Sequence, residues 1–553
     1  MKLKQMLAAF GAFATAATAA AQPAAPATTI FTPEAFRAHV AFLADDLLEG
    51  REAGTRGYEI AARYVASQFQ ELGLRPAANG EWLQPVEFIG FASVGTPRLT
   101  VGGRSFTHGQ ELMVRPSPDP TPLRLEAPMV FAGYGIDLPA RGFDDYRGLD
   151  VTGKIVVVLN GTPPGTPSDV AAHLNGDKAR MAAARGAVGL VTVWAGPDSE
   201  ATQWVRYRTL VARPGTTWMR PDGGPHVPHE LRFTAVINGP AAAPLFAAAG
   251  HPLPGILSSP ASRRPRGFEL APSARIERGG AELSRFTSPN VLAVLPGTDP
   301  VLANEYVLMM AHLDGLGTTR EAAGAENEDR IRNGAMDNAT GIATLIEVAR
   351  QMSLPGNRPR RPVLFAAVTA EEKGLLGAEY LARHPATPGR IAAVVNLDMP
   401  ILTYDFQDVT AFGAEHSTLG PIVERAAARM NVRLSPDPLP HEGLFTRSDH
   451  YKFVREGVPS VFLMTGFAGE GRRRFTEFLD EHYHKPSDDL SLPFDWRAGA
   501  KFAQLNYLIA REIANADQAP LWYADSFFGD VFAGRQQRAE RPQAAARASE
   551  RSR

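Results

Sequence analysis

Two adjacent glutamates, Glu371 and Glu372, closely follow an apolar run that spans residues 363–368. Like charges placed side by side at the end of a buried strand repel each other, and their burial costs stability. A nearby cation would offset that repulsion. The glutamate pair is therefore the first candidate for a site that does chemistry.

Two further apolar runs in the second half of the chain end in a histidine or a carboxylate. The run EYVLMMA is followed by His312 and, two residues later, by Asp314, and the run IAAVVNL is followed by Asp398. Sites in open α/β sheets form outside the carboxyl ends of the strands. We therefore expect these side chains to converge with the glutamate pair at one edge of a sheet.

Asp337 and His484 add to the same candidate cluster. Asp337 precedes an amphipathic helix in NGAMDNATGIATLIEVARQM, and His484 lies with His482 in the polar loop DEHYHKPSDD. Each residue taken singly has an ordinary structural explanation, such as a helix N-cap for an aspartate. A convergence of anionic and imidazole groups is better explained by bound metal ions, because the cluster would repel itself without them.

The chain contains no cysteine, so any metal ligand must be a histidine or a carboxylate. That donor set suits zinc and, less commonly, manganese or cobalt. Five ligands around a single ion would leave little room for chemistry. Two ions that share a bridging aspartate would each have three protein ligands, the arrangement of hydrolytic sites whose metals lie roughly 3.5–4 Å apart.

The elements around these motifs predict an α/β fold. From SPNVLAVLPG to about residue 517, apolar strands alternate with amphipathic helices, which predicts a three-layer α/β/α domain with a mainly parallel sheet. Short alternating runs broken by Gly and Pro indicate a β-rich insert before it. The predicted segments are a signal peptide (1–21), N-terminal helices of the main domain (22–88), the insert (89–276), the main domain (277–517) and a C-terminal extension (518–553) that is disordered from 534.

Composition and the N-terminus limit the class of protein. With 44% hydrophobic and 21% charged residues the chain is globular, and its net charge of −2 gives no footprint for nucleic acid. Lys2, Lys4 and the apolar stretch 6–21 predict a cleaved signal peptide and export to the periplasm or the medium. That stretch is shorter than the roughly 20 residues of a spanning helix, so we expect no stable membrane insertion after cleavage.

The motifs of the second half resemble those of the M28 family of zinc metallopeptidases, the co-catalytic aminopeptidases. In family order they are AHLDGLG, GAMDNATG, TAEEKGLLG, VNLD and YHKPSDD, across residues 311–489. The insert resembles a protease-associated (PA) domain through FAGYGI, GKIVVVLNG and KARMAAARGAVGLV. The segment GREAGTRGYEIAARYVASQFQELGL is similar to the opening helices of exported bacterial members.

The resemblance implies a metal-binding role for five positions. Asp337 would bridge two zinc ions, with Mn²⁺ or Co²⁺ as substitutes. His312 and Asp398 would complete one site, and Glu372 and His484 would complete the other.

Three further positions gain a role from the same resemblance. Glu371 would be the general base, and the phenol of Tyr483 would help to stabilise the tetrahedral oxyanion. Asp314 would orient the imidazole of His312. The charged link 318–332, which is longer than in compact aminopeptidases, would form a rim loop.

Several polar residues of the second half receive no ligand role from either argument. The segment SDHYKF, residues 448–453, is expected to be structural or to line the substrate pocket. His416, His441 and His450 are expected to lie on the surface or in loops.

The expected activity is that of an exported zinc aminopeptidase acting on peptides. A carboxypeptidase or dipeptidase of the same family stays open, because no residue can be assigned to hold a substrate ammonium or carboxylate. A receptor-like relative would have lost its ligands, and a single-metal acyltransferase of glutaminyl-cyclase type would not need a bridging Asp337. The filled ligand positions favour the two-metal peptidase.

Overall fold

The computed structural model of the chain describes residues 30–194, 213–258, 264–319 and 329–542, together with 204, 207, 208 and 211. The predicted signal peptide and residues 320–328 of the predicted rim loop lie outside these ranges. No helix within them is long and apolar enough to cross a membrane.

A ten-stranded sheet forms the centre of the larger unit. Its middle strands Val363–Val368, Glu305–His312, Arg390–Leu397 and Ser460–Thr465 are parallel neighbours, while the flanking pairings are mostly antiparallel, so the sheet is mixed. The full order across the sheet is Gly215–Trp218, Leu83–Ser93, Ala281–Leu295, Val363–Val368, Glu305–His312, Arg390–Leu397, Ser460–Thr465, Asp408–Phe412 and Arg433–Ser435, with Arg75–Pro76 paired to Ala281–Leu295.

Both faces of this sheet are covered, as the apolar runs predict. In the strand Glu305–His312, Val307 and Met309 pack into one hydrophobic layer, whereas Leu308 and Met310 pack into the other. Alternate side chains of a strand point to opposite faces, so a continuous apolar run requires a helical layer on each side. The three-layer α/β/α architecture is therefore confirmed.

Helices supply the two outer layers. On one face Pro33–Leu43, Thr340–Ser353 and Trp496–Asn515 pack together, and on the other Leu376–Arg383 lies beside His450–Val454. The α-helices of the described residues are Pro33–Leu43, Arg56–Glu71, Ser168–Ala184, Gly239–Ala248, Leu253–Ser258, Thr340–Ser353, Leu376–Arg383, Leu419–Ala428, His450–Val454, Gly471–Glu481, Trp496–Asn515 and Phe527–Phe532.

A second sheet of eight strands forms a smaller unit, in which one face carries a separate hydrophobic cluster and the other face is continuous with the core of the larger unit. Its order is Arg104–Phe106, Arg98–Val101, Phe268–Arg278, Leu123–Phe131, Ile155–Leu159, Gly189–Trp194, Phe233–Asn238 and Leu112–Val114. Two strands that overlap the predicted insert, Leu83–Ser93 and Gly215–Trp218, pair in the large sheet and join the two units. Short two-stranded ladders connect Asp137–Leu138 with Phe143–Asp144 and Gly317–Thr318 with Ile331–Arg332.

Polar contacts fix the smaller unit against the larger one. Nδ1 of His173 lies 2.7 Å from the Tyr451 hydroxyl, and Arg455 donates to Asp177 at 2.9 Å. His173 is buried among the aromatic rings of the helix Phe527–Phe532. The C-terminal extension therefore contributes to the contact between the units.

The described part of the extension runs to residue 542. Tyr523 forms a β-bridge with Ala539, and Arg541 makes an ion pair with Asp525. Residues 534–542 were predicted to begin a disordered tail, but they are bonded to the folded body, and residues 543–553 lie outside the described ranges.

Candidate metal centre

Three neighbouring parallel strands deliver side chains to one edge of the large sheet. His312 is the last residue of its strand, and it is paired with Val368, the last residue of the adjacent strand. Asp398 immediately follows the strand Arg390–Leu397 on the other side. Because these strands are parallel and in register, their carboxyl ends meet, and the predicted convergence at this edge is present.

Two groups of three possible ligands lie at this edge. In each group the ligand atoms are all within 4.8 Å of one another. One group comprises His312, Asp337 and Asp398, and the other comprises Asp337, Glu372 and His484.

Asp337 belongs to both groups and divides its two oxygens between them. Oδ1 lies 3.1 Å from Nε2 of His312, and Oδ2 lies 3.3 Å from Nε2 of His484. Asp398 Oδ1 is 3.2 Å from the same nitrogen of His312, and Glu372 Oε2 is 3.4 Å from Nε2 of His484. A carboxylate in this position can bridge two cations.

The adjacent glutamates point to different groups. Glu372 belongs to the group of His484, whereas the charge of Glu371 acts on His312 and Asp398. Both residues lie in the turn after the strand Val363–Val368, in which Ala370 has a left-handed φ of 55°. The two side chains still repel each other, since the charge of Glu372 helps to raise the pKa of Glu371.

Asp314 fixes this turn through its side chain. Its carboxylate accepts hydrogen bonds from the backbone N–H groups of Glu371 at 3.0 Å and Glu372 at 3.3 Å. Nδ1 of His312 instead contacts the backbone carbonyl of Asp314, at 3.1 Å. The residue therefore positions the imidazole through its main chain and the glutamate pair through its carboxylate.

The electrostatics of the group fit a bound cation. Burial raises the pKa of Glu372 to about 8 and that of Glu371 well above its usual value. Burial alone would lower the pKa of His312, but Asp398 and Glu371 raise it well above its usual value. Against the effect of burial, His312 and His484 lower the pKa of Asp337. The two glutamates that retain protons, beside an imidazole that gains one, mark a site that lacks positive charge. Histidine and carboxylate donors without a thiol fit zinc, manganese or cobalt.

Tyr483 and His484 lie together at the rim of the site. Their rings stack at a centroid distance of 3.7 Å. Burial and the nearby Asp337 raise the pKa of the Tyr483 phenol above its usual value. The hydroxyl therefore stays protonated and can act as a hydrogen-bond donor. His482 turns away and contacts Ser487, with Nδ1 and Oγ 3.0 Å apart.

Two residues that support the ligands were not identified from the sequence. The Ser448 hydroxyl donates to Oδ2 of Asp398, and Asp488 accepts from the N–H groups of Met336 at 2.8 Å and Asp337 at 3.0 Å. Ser448 lies in SDHYKF and Asp488 in YHKPSDD, so the motifs contained both residues without indicating what they contact.

The two residues after Ser448 are buried. Asp449 has no exposed surface, neither of its carboxylate oxygens has a hydrogen-bond partner among the described residues, and burial raises its pKa to about 8. His450 is also fully buried, at the start of the helix His450–Val454, so its predicted surface position is wrong. Its neighbours include the rings of Phe445 and Phe462, and burial lowers its pKa to about 3.

His416 lies at the contact between the two units and not at this site. Its Nε2 is 3.4 Å from Oδ2 of Asp169, at the start of the helix Ser168–Ala184. Glu415 completes a third group of possible ligands there. The nearby Arg541 guanidinium supplies positive charge to the same place, so an ion-pair network explains the group.

Arg51 lies beneath the metal centre and also was not identified from the sequence. The guanidinium is buried, with 1% of the residue exposed, and burial lowers its pKa to about 10, so it is cationic at neutral pH. The charges of Asp488, Asp314 and Asp337 act on it.

Comparison with known proteins adds a family match over the part of the chain that holds the site. Residues 290–510 match the description "Peptidase family M28". All five ligand positions and both glutamates fall inside this range.

Two curated relatives are similar to parts of the chain. Leupeptin-inactivating enzyme 1 of Streptomyces exfoliatus is 29% identical over 185 residues, 32% of this chain and 36% of the relative. Aminopeptidase Y of Saccharomyces cerevisiae is 29% identical over 205 residues, 35% of this chain and 34% of the relative. The matched segments thus span about a third of the length of each relative.

Solved structures of other proteins are similar over most of the chain. The aminopeptidase from Aneurinibacillus sp. strain AM-1 aligns with a TM-score of 0.50 and 20% identity, covering 88% of this chain and 95% of that one. At this identity the likeness shows a shared fold.

Proposed function

Since residues 290–510 match peptidase family M28, we propose that this chain belongs to that family and is a zinc-dependent aminopeptidase that cleaves the N-terminal peptide bond of peptides. The observation that carries the proposal is the position of Asp337, whose two oxygens lie 3.1 Å from His312 and 3.3 Å from His484. This geometry supports two ions that share one carboxylate. The relatives named as aminopeptidases support the choice of the peptide N-terminus.

Each ion would have three protein ligands. His312, Asp337 and Asp398 would hold the first, and Asp337, Glu372 and His484 would hold the second. When bound, the ions lower the pKa of a water molecule and polarise the scissile carbonyl. The remaining steps fall to side chains that are outside the two ligand groups.

Glu371 is the proton carrier in this proposal. Beside bound cations this carboxylate would be ionised, so it can accept a proton from the attacking water and return it to the leaving amine nitrogen. Asp314 holds the backbone of Glu371 through the 3.0 Å hydrogen bond, so the base keeps a fixed position relative to the ligand Glu372. Tyr483, whose phenol stays protonated, donates a hydrogen bond to the oxyanion that forms on the carbonyl oxygen.

The charged start and apolar stretch of residues 1–21 support export to the periplasm or the medium. The smaller β-rich unit is a protease-associated insert in this account, supported by its sequence motifs and its separate sheet. Cell fractionation and N-terminal sequencing should find a mature chain outside the cytoplasm that begins at Gln22.

A substrate panel tests the activity. Leucyl p-nitroanilide and free-amine peptides should be cleaved, N-acetylated analogues should resist, and a chelator should abolish turnover. Loss of residues from the C-terminus of N-acetylated peptides would instead identify a carboxypeptidase. Cyclisation of N-terminal glutamine by protein with one metal ion would identify the acyltransferase type. Metal-loaded protein that leaves every substrate intact would identify a non-catalytic relative.

A further inference from the structure

The guanidinium of Arg51 bonds to backbone carbonyls around the candidate metal centre. Nε donates to the carbonyl of Leu313 at 3.0 Å, and Nη2 donates to that of Gly334 at 3.1 Å. Nη1 donates to the carbonyls of Asn333 and Leu43. The side chain thus binds four carbonyl oxygens, and two of the segments that carry them are more than 250 residues away in sequence.

These carbonyls belong to the segments that carry metal ligands. Leu313 is bonded directly to His312, and Asn333 and Gly334 lie three to four residues before Asp337. Gly334 has a φ of 60°, and a Cβ there would lie 3.1 Å from Nη2 of Arg51 and 2.3 Å from the carbonyl oxygen of Asp337. A glycine at this position therefore permits the close approach of the guanidinium to the ligand-bearing turn.

The residues on either side of Arg51 contact the same segments. Glu52 accepts a hydrogen bond from Lys373 at 2.8 Å, next to the ligand Glu372, and the carbonyl of Arg51 accepts from the N–H of Gly315 at 3.1 Å. A Cβ on Gly50 would lie 2.5 Å from the carbonyl oxygen of Arg332. We call Gly50, Arg51 and Glu52 the clamp segment, because it contacts the strand-end loops that carry His312, Asp337 and Glu372.

The backbone of the clamp segment supports a specialised role. Arg51 has a φ of 50°, in the left-handed region that is unfavourable for a side chain with a Cβ. The buried arginine can persist there because its hydrogen bonds and close packing hold it. Such strained residues cluster at functional sites.

We propose that Arg51 is a positioning residue of the metal centre. Arg51 holds the loops of His312 and Asp337 at the spacing that is required by two metal ions that share Asp337. This inference rests on the proposed function, because it assigns Arg51 a role at that same site. Its charge and its geometry have opposite expected effects on metal binding. A guanidinium repels a divalent cation, so loss of the charge alone would tighten metal binding. Loss of the hydrogen bonds to the four carbonyl oxygens would weaken metal binding.

Two substitutions separate these effects. Arg51→Lys keeps the charge but cannot reproduce the planar fork of donors, and Arg51→Met removes both. The matched control is Arg361→Lys. Arg361 is also fully buried and donates to the carbonyls of Ile513, Ala516 and Asp517, but it lies at the opposite edge of the sheet, before the strand Val363–Val368.

The measurement is the zinc affinity of metal-free protein, obtained by competition with a chromophoric chelator at a temperature where circular dichroism shows every variant folded. Both Arg51 variants should bind zinc at least tenfold more weakly than wild type, within the roughly 10–100-fold range seen for residues that orient ligands. Arg361→Lys should change zinc affinity by less than tenfold while lowering the melting temperature. Excess zinc should restore activity to Arg51→Lys.

Three outcomes overturn the inference. If zinc affinity changes by less than tenfold in both Arg51 variants, Arg51 stabilises the fold but does not position the metal centre. If Arg51→Met binds zinc more tightly and Arg51→Lys binds zinc as wild type does, Arg51 affects metal binding only through its charge. An equal loss in Arg361→Lys would remove its specificity. Wild-type protein that binds no zinc would instead refute the proposed function itself.

A substitution at Asn333 tests the same positioning role if neither Arg51 variant folds. The Asn333 side chain donates to the carbonyl of Ala44 at 2.9 Å and to Oδ1 of Asp46 at 2.8 Å, which ties the same loop to the chain just before the clamp segment. Asn333→Ala removes that tie and should weaken zinc binding at least threefold. A smaller effect would overturn the positioning role of this contact region.

Discussion

Glu371→Gln should lower turnover by orders of magnitude while the protein keeps its metal. Glutamine has nearly the same size as glutamate but cannot accept a proton, and Glu371 belongs to neither group of possible metal ligands. The hydrogen bond from its backbone N–H to Asp314, at 3.0 Å, does not depend on the side chain. The substitution therefore removes proton transfer and leaves the two ligand groups intact.

The expected loss follows from the role of a positioned base. Turnover should fall by roughly 10²–10⁴-fold, or about 2.7–5.4 kcal/mol in the activation free energy. Glu372→Gln should behave differently, because Glu372 Oε2 lies 3.4 Å from Nε2 of His484 in a ligand group. Loss of that charge should weaken one metal site first, and excess zinc should restore part of the activity.

The assay combines kcat on leucyl p-nitroanilide with elemental analysis after gel filtration. Glu442→Gln is the matched control, since Glu442 is exposed and makes a surface ion pair with Arg447 at 3.1 Å. It should keep both activity and metal. Metal loss in Glu371→Gln together with metal retention in Glu372→Gln would refute the reasoning, because the roles of the two neighbours would then be exchanged.

Three further substitutions test the metal centre and the contact between the two units. Asp337→Ala should lose both ions by elemental analysis, because the residue belongs to both ligand groups, and retention of one ion would show that it is not shared. Asp488→Asn should bind zinc at least tenfold more weakly in chelator competition, since Asp488 holds the N–H groups of Met336 and Asp337; unchanged affinity would contradict that support. Burial lowers the pKa of His173 from 6.5 to about 4, so the unfolded chain binds more protons across this window and stability should fall as pH falls from 6.5 to 4. Urea unfolding should show that the stability of His173→Gln depends less on pH. An equally steep dependence of stability on pH in this variant would contradict the lowered pKa of His173.

The sequence predicted the side chains that end the central strands, for a physical reason. Apolar runs mark strands buried on both faces, and parallel strands place their carboxyl ends at one edge, so the sequence alone predicts that His312 and Asp398 lie close together. The glutamate pair was identified because adjacent buried negative charges repel each other and lower stability unless a nearby positive charge compensates them.

The supporting contacts could not be predicted in the same way. Arg51 reaches Leu313 across 262 positions, and neither periodicity nor spacing encodes a bond from a side chain to a distant backbone carbonyl. The predicted boundary between residues 88 and 89 falls inside the strand Leu83–Ser93, because the partner of this strand, Ala281–Leu295, begins almost 190 residues beyond its end and leaves no signal in the local sequence. His450 sits in a polar segment, so its burial among aromatic rings had no signal in the local sequence.

Zinc titration of metal-free protein tests the central claim most directly, because the account requires two ions that share Asp337. Calorimetry should find two zinc ions per chain, and activity on leucyl p-nitroanilide should reach its full value only when both sites are filled. Asp337→Ala, measured beside it, should bind neither ion with wild-type affinity. Full activity with one ion per chain, or with none, would contradict the two-metal account.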